Sequence, residues 1–201
     1  MDKGNGMNIT VSLIIINVII YLILEFLGST ENVSLMMQYG AVYPPFITEK
    51  GEYWRFFTAT LMHFGFEHLL SNMVMLAAAG PLLERALGKI KYTLLYFLAG
   101  IGGCVLSYLQ MMYSNDYAVA AGASGSIYGI VGALAWILVL HKGRYESLTG
   151  KRMIFMIFMS LYYGMSTGDV DNWGHIGGFL MGFLISIIFY RRNTKEIDFE
   201  E

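Results

Sequence analysis

The chain has 201 residues, of which 56% are hydrophobic and only 14% charged, against about 45–50% and about 25% in ordinary soluble domains. So small a domain cannot hide that much apolar surface from water, which excludes a soluble enzyme, and three Pro with little charge exclude a disordered tail. A net charge of −2 gives no reason to expect nucleic acid as a partner, and a single cysteine, Cys104, precludes an internal disulfide or a cysteine-based zinc site.

Lipid must therefore solvate much of the chain, and a helix needs about 20 apolar residues to cross it. Such runs predict six spans, at 9–27, 64–83, 92–113, 123–140, 152–166 and 173–190. The first holds Asn17 and Glu25 and lacks a small-residue cleavage site, so it is expected to stay in place rather than act as a signal peptide. The second is interrupted by His63, Glu67, His68 and Asn72, and the fifth is the shortest. Between the first two spans lies a long loop, residues 28–61, with Pro44-Pro45 and then Tyr53-Trp54-Arg55-Phe56-Phe57. Its aromatic and basic residues predict that it lies partly in the headgroup layer.

Charge sets the expected orientation. Eleven of the 13 Lys and Arg fall at the N-terminus, after spans two and four, or at the C-terminus, and only Lys50 and Arg55 fall in the alternate loops. The positive-inside rule then places both termini in the cytoplasm, which requires an even number of spans. The expected architecture is an all-α membrane bundle of one domain, residues 1–201, with no appended unit and no internal repeat.

Polar side chains within spans are costly and mark candidate functional positions. They gather in His63-Phe-Gly-Phe-Glu-His68-Leu-Leu-Ser-Asn72, in Gly122-Ala-Ser124-Gly125-Ser-Ile-Tyr128, and in Asp171-Asn-Trp-Gly-His175-Ile-Gly-Gly178. All three lie at the outer ends of their helices in the expected topology. His68 and Asn72 share one helix face, as do Ser124 and Tyr128. Gly125 with Gly129, and Gly174 with Gly178 and Gly182, form small-residue stripes that permit close helix approach. If spans four and six pack through them, Ser124 and His175 can meet, and a neutral histidine is the usual base for a serine nucleophile. The pattern alone leaves two readings open: a serine-hydrolase site, or interhelical hydrogen bonds with packing faces.

At these residues the sequence closely resembles the rhomboid intramembrane serine proteases. The matching motifs are His68-x-x-x-Asn72, Gly122-x-Ser124-Gly125 and His175 followed by glycines, together with Trp54-Arg55, Tyr128 and His63. The resemblance implies a six-helix rhomboid bundle in which Ser124 is the nucleophile and His175 its base. It implies an oxyanion hole from the Ser124 N–H, Asn72 and His68, with Gly122 keeping the backbone close. Tyr128 would stack on His175, His63 would support the site, and Gly125 and Gly178 would pack the helices. Trp54 and Arg55 would anchor the long loop at the membrane surface. Asp171 is expected to be a solvated loop residue rather than a third catalytic member, and Glu25 a structural hydrogen-bond partner.

Rival chemistries fit less well. A helical zinc protease needs His-Glu-x-x-His, whereas His63 and His68 are five apart and face differently. A membrane aspartyl protease needs aspartates within facing helices, and Asp116, Asp169 and Asp171 are in outer loops. Transporters usually show inverted repeats and midplane polar groups, which are missing from this pattern. The expected activity is cleavage of transmembrane segments of single- or multi-pass substrates in a bacterial plasma membrane, the site opening to the outer face. No metal or cofactor is called for. The alternative is a catalytically weak relative that binds membrane proteins or serves their quality control.

Overall fold

The computed structural model describes residues 8–167 and 170–191, so Lys3, Asp169, Arg192 and Lys195 lie outside the described residues. Six longer helices occupy the six expected positions: α1 (Ile9–Leu27), α5 (Gly65–Leu87), α6 (Lys89–Ser114), α7 (Ser124–Leu140), α8 (Gly150–Thr167) and α9 (Asn172–Phe189). Four of them, α1, α5, α6 and α9, are long and apolar enough to cross a membrane, and α7 is a shorter apolar helix of 17 residues. Lys151 and Arg152 open α8 and dilute its apolar character.

The loop between α1 and α5 is not irregular. It carries three short helices, α2 (Val33–Tyr39), α3 (Pro44–Lys50) and α4 (Arg55–Thr58), then a 3₁₀ turn at Ala59–Leu61. Their causes are local. Asn32 caps α2 by accepting the Ser34 and Leu35 N–H groups. Pro44 and Pro45 begin α3, where their missing donors cost nothing, and Gly51 at φ 70° ends it. A two-residue hairpin, β1 (Arg144–Tyr145) with β2 (Leu148–Thr149), joins α7 to α8.

Side-chain contacts gather the basic helix ends at one end of the bundle. Lys91 Nζ donates to the Phe189 carbonyl at 2.8 Å, the Arg85 guanidinium pairs with Glu146 at 2.7 Å, and His141 Nε2 lies 2.7 Å from Tyr190 Oη. The start of α1 joins them. Its own cap residue, Asn8, makes no side-chain cap, and Glu84 of α5 supplies one instead. The Glu84 carboxylate accepts the Ile9 N–H at 2.8 Å, the Thr10 N–H at 2.9 Å and the Thr10 hydroxyl at 2.7 Å. With Glu84 8% exposed, removing it strands buried donors. Glu84→Leu is expected to lower stability by about 2–4 kcal/mol, read as a fall in melting temperature in detergent that Arg85→Gln, at an exposed pair, does not reproduce.

At the opposite end Glu25 accepts the Thr30 N–H and hydroxyl at 2.9 and 2.7 Å. The Thr30 oxygen in turn accepts the Gly65 N–H at 3.3 Å, tying the start of the long loop to the start of α5. The central core joins α1, α5, α6 and α7 through residues such as Leu76, Leu83, Tyr92, Tyr96, Ile130 and Leu134.

Candidate functional site

The site is built where α7 begins. Ser124 is its first residue, preceded by a strap, residues 119–123, that the long loop holds along its length. Val42 and Ala120 exchange backbone hydrogen bonds at 2.8 and 3.0 Å, and the Gly122 N–H donates to the Ala59 carbonyl at 2.9 Å. The Ala123 N–H, beside the serine, donates to His63 Nε2 at 3.3 Å. His63 is fully buried, and its Nδ1 has no hydrogen-bond partner. An imidazole that accepts at Nε2 carries its proton on Nδ1, so the bond to the strap specifies the tautomer.

Gly122 is required by geometry. Its φ is +152°, and a Cβ there would lie 2.9 Å from His68 Cε1 and 3.0 Å from His68 Nε2. The strap backbone and the His68 ring are therefore in direct contact. His63 and His68 meet edge to face with centroids 5.3 Å apart, so the two rings brace one another. Asn72, buried one turn further along α5, donates from Nδ2 to the His68 carbonyl at 2.9 Å.

His175 reaches the same place from α9. Its imidazole stacks on the Tyr128 ring, centroids 4.2 Å apart and planes 14° from parallel. Tyr128 is one turn beyond Ser124, so the stack sets the His175 ring beside the face of α7 that carries the serine. Close backbone packing makes this possible, because a Cβ at Gly178 would fall on the Gly125 carbonyl and one at Gly182 on the Gly129 carbonyl. Ser124, Gly122, His68, His63, Tyr128 and His175 thus form one cluster with Gly125 and Gly178 beneath it. Among the described residues, no three His, Cys, Asp or Glu side chains gather as a metal-ligand set.

Two expectations need correction. Arg55 is not presented outward: it is 3% exposed, donating to the Met37 and Ala41 carbonyls at 2.6 and 2.9 Å and to Glu52 at 2.6 Å. A guanidinium with several donors can satisfy loop carbonyls at once, so Arg55 ties the loop to itself, and only Trp54 is turned outward. Asp171 is not a free loop residue. It caps α9, its carboxylate accepting the Gly174 N–H at 2.8 Å, while His175 Nδ1 has no hydrogen-bond partner. The Ala59 carbonyl and the Val42–Ala120 bridge carried no side-chain signal, being backbone contacts that only the fold brings together.

The bond that His63 accepts from Ala123 makes a specific prediction. A glutamine amide can reach the position of a histidine Nε2, whereas a leucine fills the space without an acceptor. His63→Leu is expected to release the strap and lower kcat about tenfold or more, in keeping with the loss of a group that positions the site. His63→Gln should restore most of it, with KM little changed in both. Equal losses in the two variants would mean that volume alone matters.

Comparison with known proteins shows the family to which the chain belongs. A family model described as the rhomboid domain matches residues 50–192. The chain is 32% identical to the rhomboid protease GluP of Bacillus subtilis over 85% of this chain and 32% of that protein. It is 35% identical to RHOMBOID-like protein 1 of Arabidopsis thaliana over 76% of this chain and 39% of that protein. With Rhomboid-like protease 1 of Toxoplasma gondii it shares 30% identity over 82% of this chain and 56% of that protein. The chain therefore spans roughly a third to just over half of these relatives' lengths. The family model covers more than half of the chain, and the chain belongs to the rhomboid family.

Proposed function

We propose that this chain is an intramembrane serine endopeptidase that cleaves transmembrane segments through an acyl-enzyme on Ser124. The observation that carries the reading is the His175 ring held against Tyr128, one turn from a serine that opens a helix. His175 takes the Ser124 proton as the hydroxyl attacks the peptide carbonyl, then returns it to the leaving amine. Water deacylates the enzyme by the same base. The first N–H groups of a helix have no intrahelical acceptor and lie at its positive end, which favours the Ser124 N–H as an oxyanion donor. His68 beside Gly122 and Asn72 one turn away supply further donors, each worth about 10²–10³-fold in rate when preorganised. His175 Nδ1, without a carboxylate partner, favours a dyad over a triad.

A helical substrate has its backbone groups already paired, so it must unwind before attack. Substrates with helix-weakening residues and a small side chain at the cut are the expected class. They reach the site sideways, past α8 and the segment that follows it, part of which lies outside the described residues. The basic ends of the helices favour a topology with both termini in the cytoplasm and the site opening to the outer face.

The test is cleavage of a single-pass transmembrane reporter by the purified chain in liposomes, with and without a chelator, beside labelling by a fluorophosphonate. Chelator-resistant cleavage with label on Ser124 is the expected result. Cleavage abolished by the chelator would overturn the serine mechanism. Folded protein that neither cleaves nor labels would replace it with the binding or quality-control role.

A further inference from the structure

A second polar site lies at the far end of the bundle from Ser124. Where α5 turns into α6 and α9 ends, a cleft of about 380 Å³ is lined by Leu87, Lys91, Ile188, Phe189 and Arg191, among others. None of its lining residues is acidic. Among the described residues, the carboxylates of Glu84 and Glu146 are already engaged, Glu84 on the start of α1 and Glu146 on Arg85. Lys91 does not wave freely, because one ammonium proton bonds the Phe189 carbonyl at 2.8 Å and leaves two donors for a ligand.

The backbone adds to the charge. Lys91 sits in the first turn of α6, and Gly88, its cap residue, has no side chain with which to cap it. A 26-residue helix with free first-turn N–H groups carries partial positive charge at that end. Lys91, in the first turn of α6, and Arg191 therefore line one amphipathic cleft, an arrangement suited to a phosphate oxygen.

What distinguishes a lipid from a free anion is the surface leading away from the cleft. On α9, Ile188, Leu184 and Leu180 follow one stripe at 74%, 57% and 52% exposure. On α6, Ile90, Leu94 and Leu98 do the same at 78%, 48% and 45%. The α9 stripe begins in the cleft at Ile188 and the α6 stripe at Ile90, the residue before Lys91, and both run toward the middle of the bundle, the path that an acyl chain takes from a headgroup into hydrocarbon. We propose that this cleft is a binding site for an anionic glycerophospholipid, its phosphodiester held by Lys91 and Arg191, and its acyl chains lying on the two stripes. Basic pockets between helices on the cytoplasmic side are suited to such headgroups. Because α6 and α9 pack together along their length and α9 carries His175, the bound lipid fastens the far ends of the helices that support the catalytic cluster.

The experiment measures thermal unfolding of the full chain in neutral detergent against added dioctanoyl phosphatidylglycerol, dioctanoyl phosphatidylcholine or inorganic phosphate. Phosphatidylglycerol is expected to raise Tm saturably, as a ligand of the folded state does, and the other two are not. Because Lys91 also ties α6 to α9, Arg191→Gln is the cleaner variant, and it should weaken the apparent affinity about fivefold. Lys142→Gln, the same charge change outside the cleft, should not. An equal shift with phosphate would make this a free-anion site, and an equal shift with phosphatidylcholine would make the effect non-specific; either overturns the lipid assignment. So would full affinity in Arg191→Gln, or the same loss in Lys142→Gln. A chain truncated after Asn193 that binds the lipid tenfold more tightly would make the acidic residues beyond it the natural occupant.

Discussion

Ser124→Ala and His175→Ala are each expected to lower cleavage of a transmembrane reporter by about 10⁴-fold or more, and the double variant to lose no more than either alone. In the proposed mechanism the nucleophile and its base act as a unit, so removing one leaves the other with nothing to do, and such losses do not multiply. Losses that did multiply would mean two independent contributions, and the dyad would be wrong. Residual activity, where measurable, would come from the oxyanion donors and from substrate binding. Asp171→Asn is the informative companion. Asparagine is as good a helix cap as aspartate, so the start of α9 should hold and the rate should stay within a few-fold of wild type. In a triad the same change costs about 10⁴-fold, and a loss of that size would mean that Asp171 swings from Gly174 to His175 during turnover. The assay is initial cleavage rate in liposomes at matched amounts of folded protein.

The parts of this molecule that could be read from its sequence are those whose signal is a side chain at a fixed spacing. The longer helices announce themselves as apolar runs, although among the described residues only α1, α5, α6 and α9 are long and apolar enough to cross a membrane. Their ends fall within a few residues of expectation except at α5. That helix continues past Leu83 to Leu87, with Glu84 and Arg85 inside it; two charged residues look like a loop until the Glu84 carboxylate is seen capping α1. His68, Asn72, Ser124 and His175 stand out for a similar reason, as polar groups where polarity is expensive. What was not legible depends on backbone. The three short helices of the long loop come from caps and prolines that hydropathy does not register. Arg55 reads as a surface charge, yet it is buried because the carbonyls of Met37 and Ala41 need a donor that the loop cannot otherwise provide. The strap before Ser124 is held through the carbonyl of Ala59 and the backbone of Val42, which any residue type except proline could supply.

Gly178→Ala carries the second large effect, reached through packing rather than through a reacting group. The added methyl falls on the carbonyl oxygen of Gly125, the residue after the serine. Backbone cannot yield as a flexible side chain can, so α7 and α9 must separate. The glycine contacts recur along the seam, Gly182 against Gly129 and Gly132 against the Phe179 carbonyl, and a wedge at one level loosens the others. Overpacking of this kind costs about 1–3 kcal/mol. The kinetic cost is larger, because His175 rides on the helix that moves while Ser124 stays on the other. Displacing a base by about 1 Å can lower a rate about 10²-fold, and the same displacement weakens the Tyr128 stack that aims the ring. Gly178→Ala should therefore lower kcat about 10²-fold, with a proportional fall in fluorophosphonate labelling of Ser124. Ile176→Ala, on the exposed face of the same helix, should leave both unchanged. A Gly178→Ala protein that melts lower yet labels at the wild-type rate would show that the seam supports stability without aiming the base.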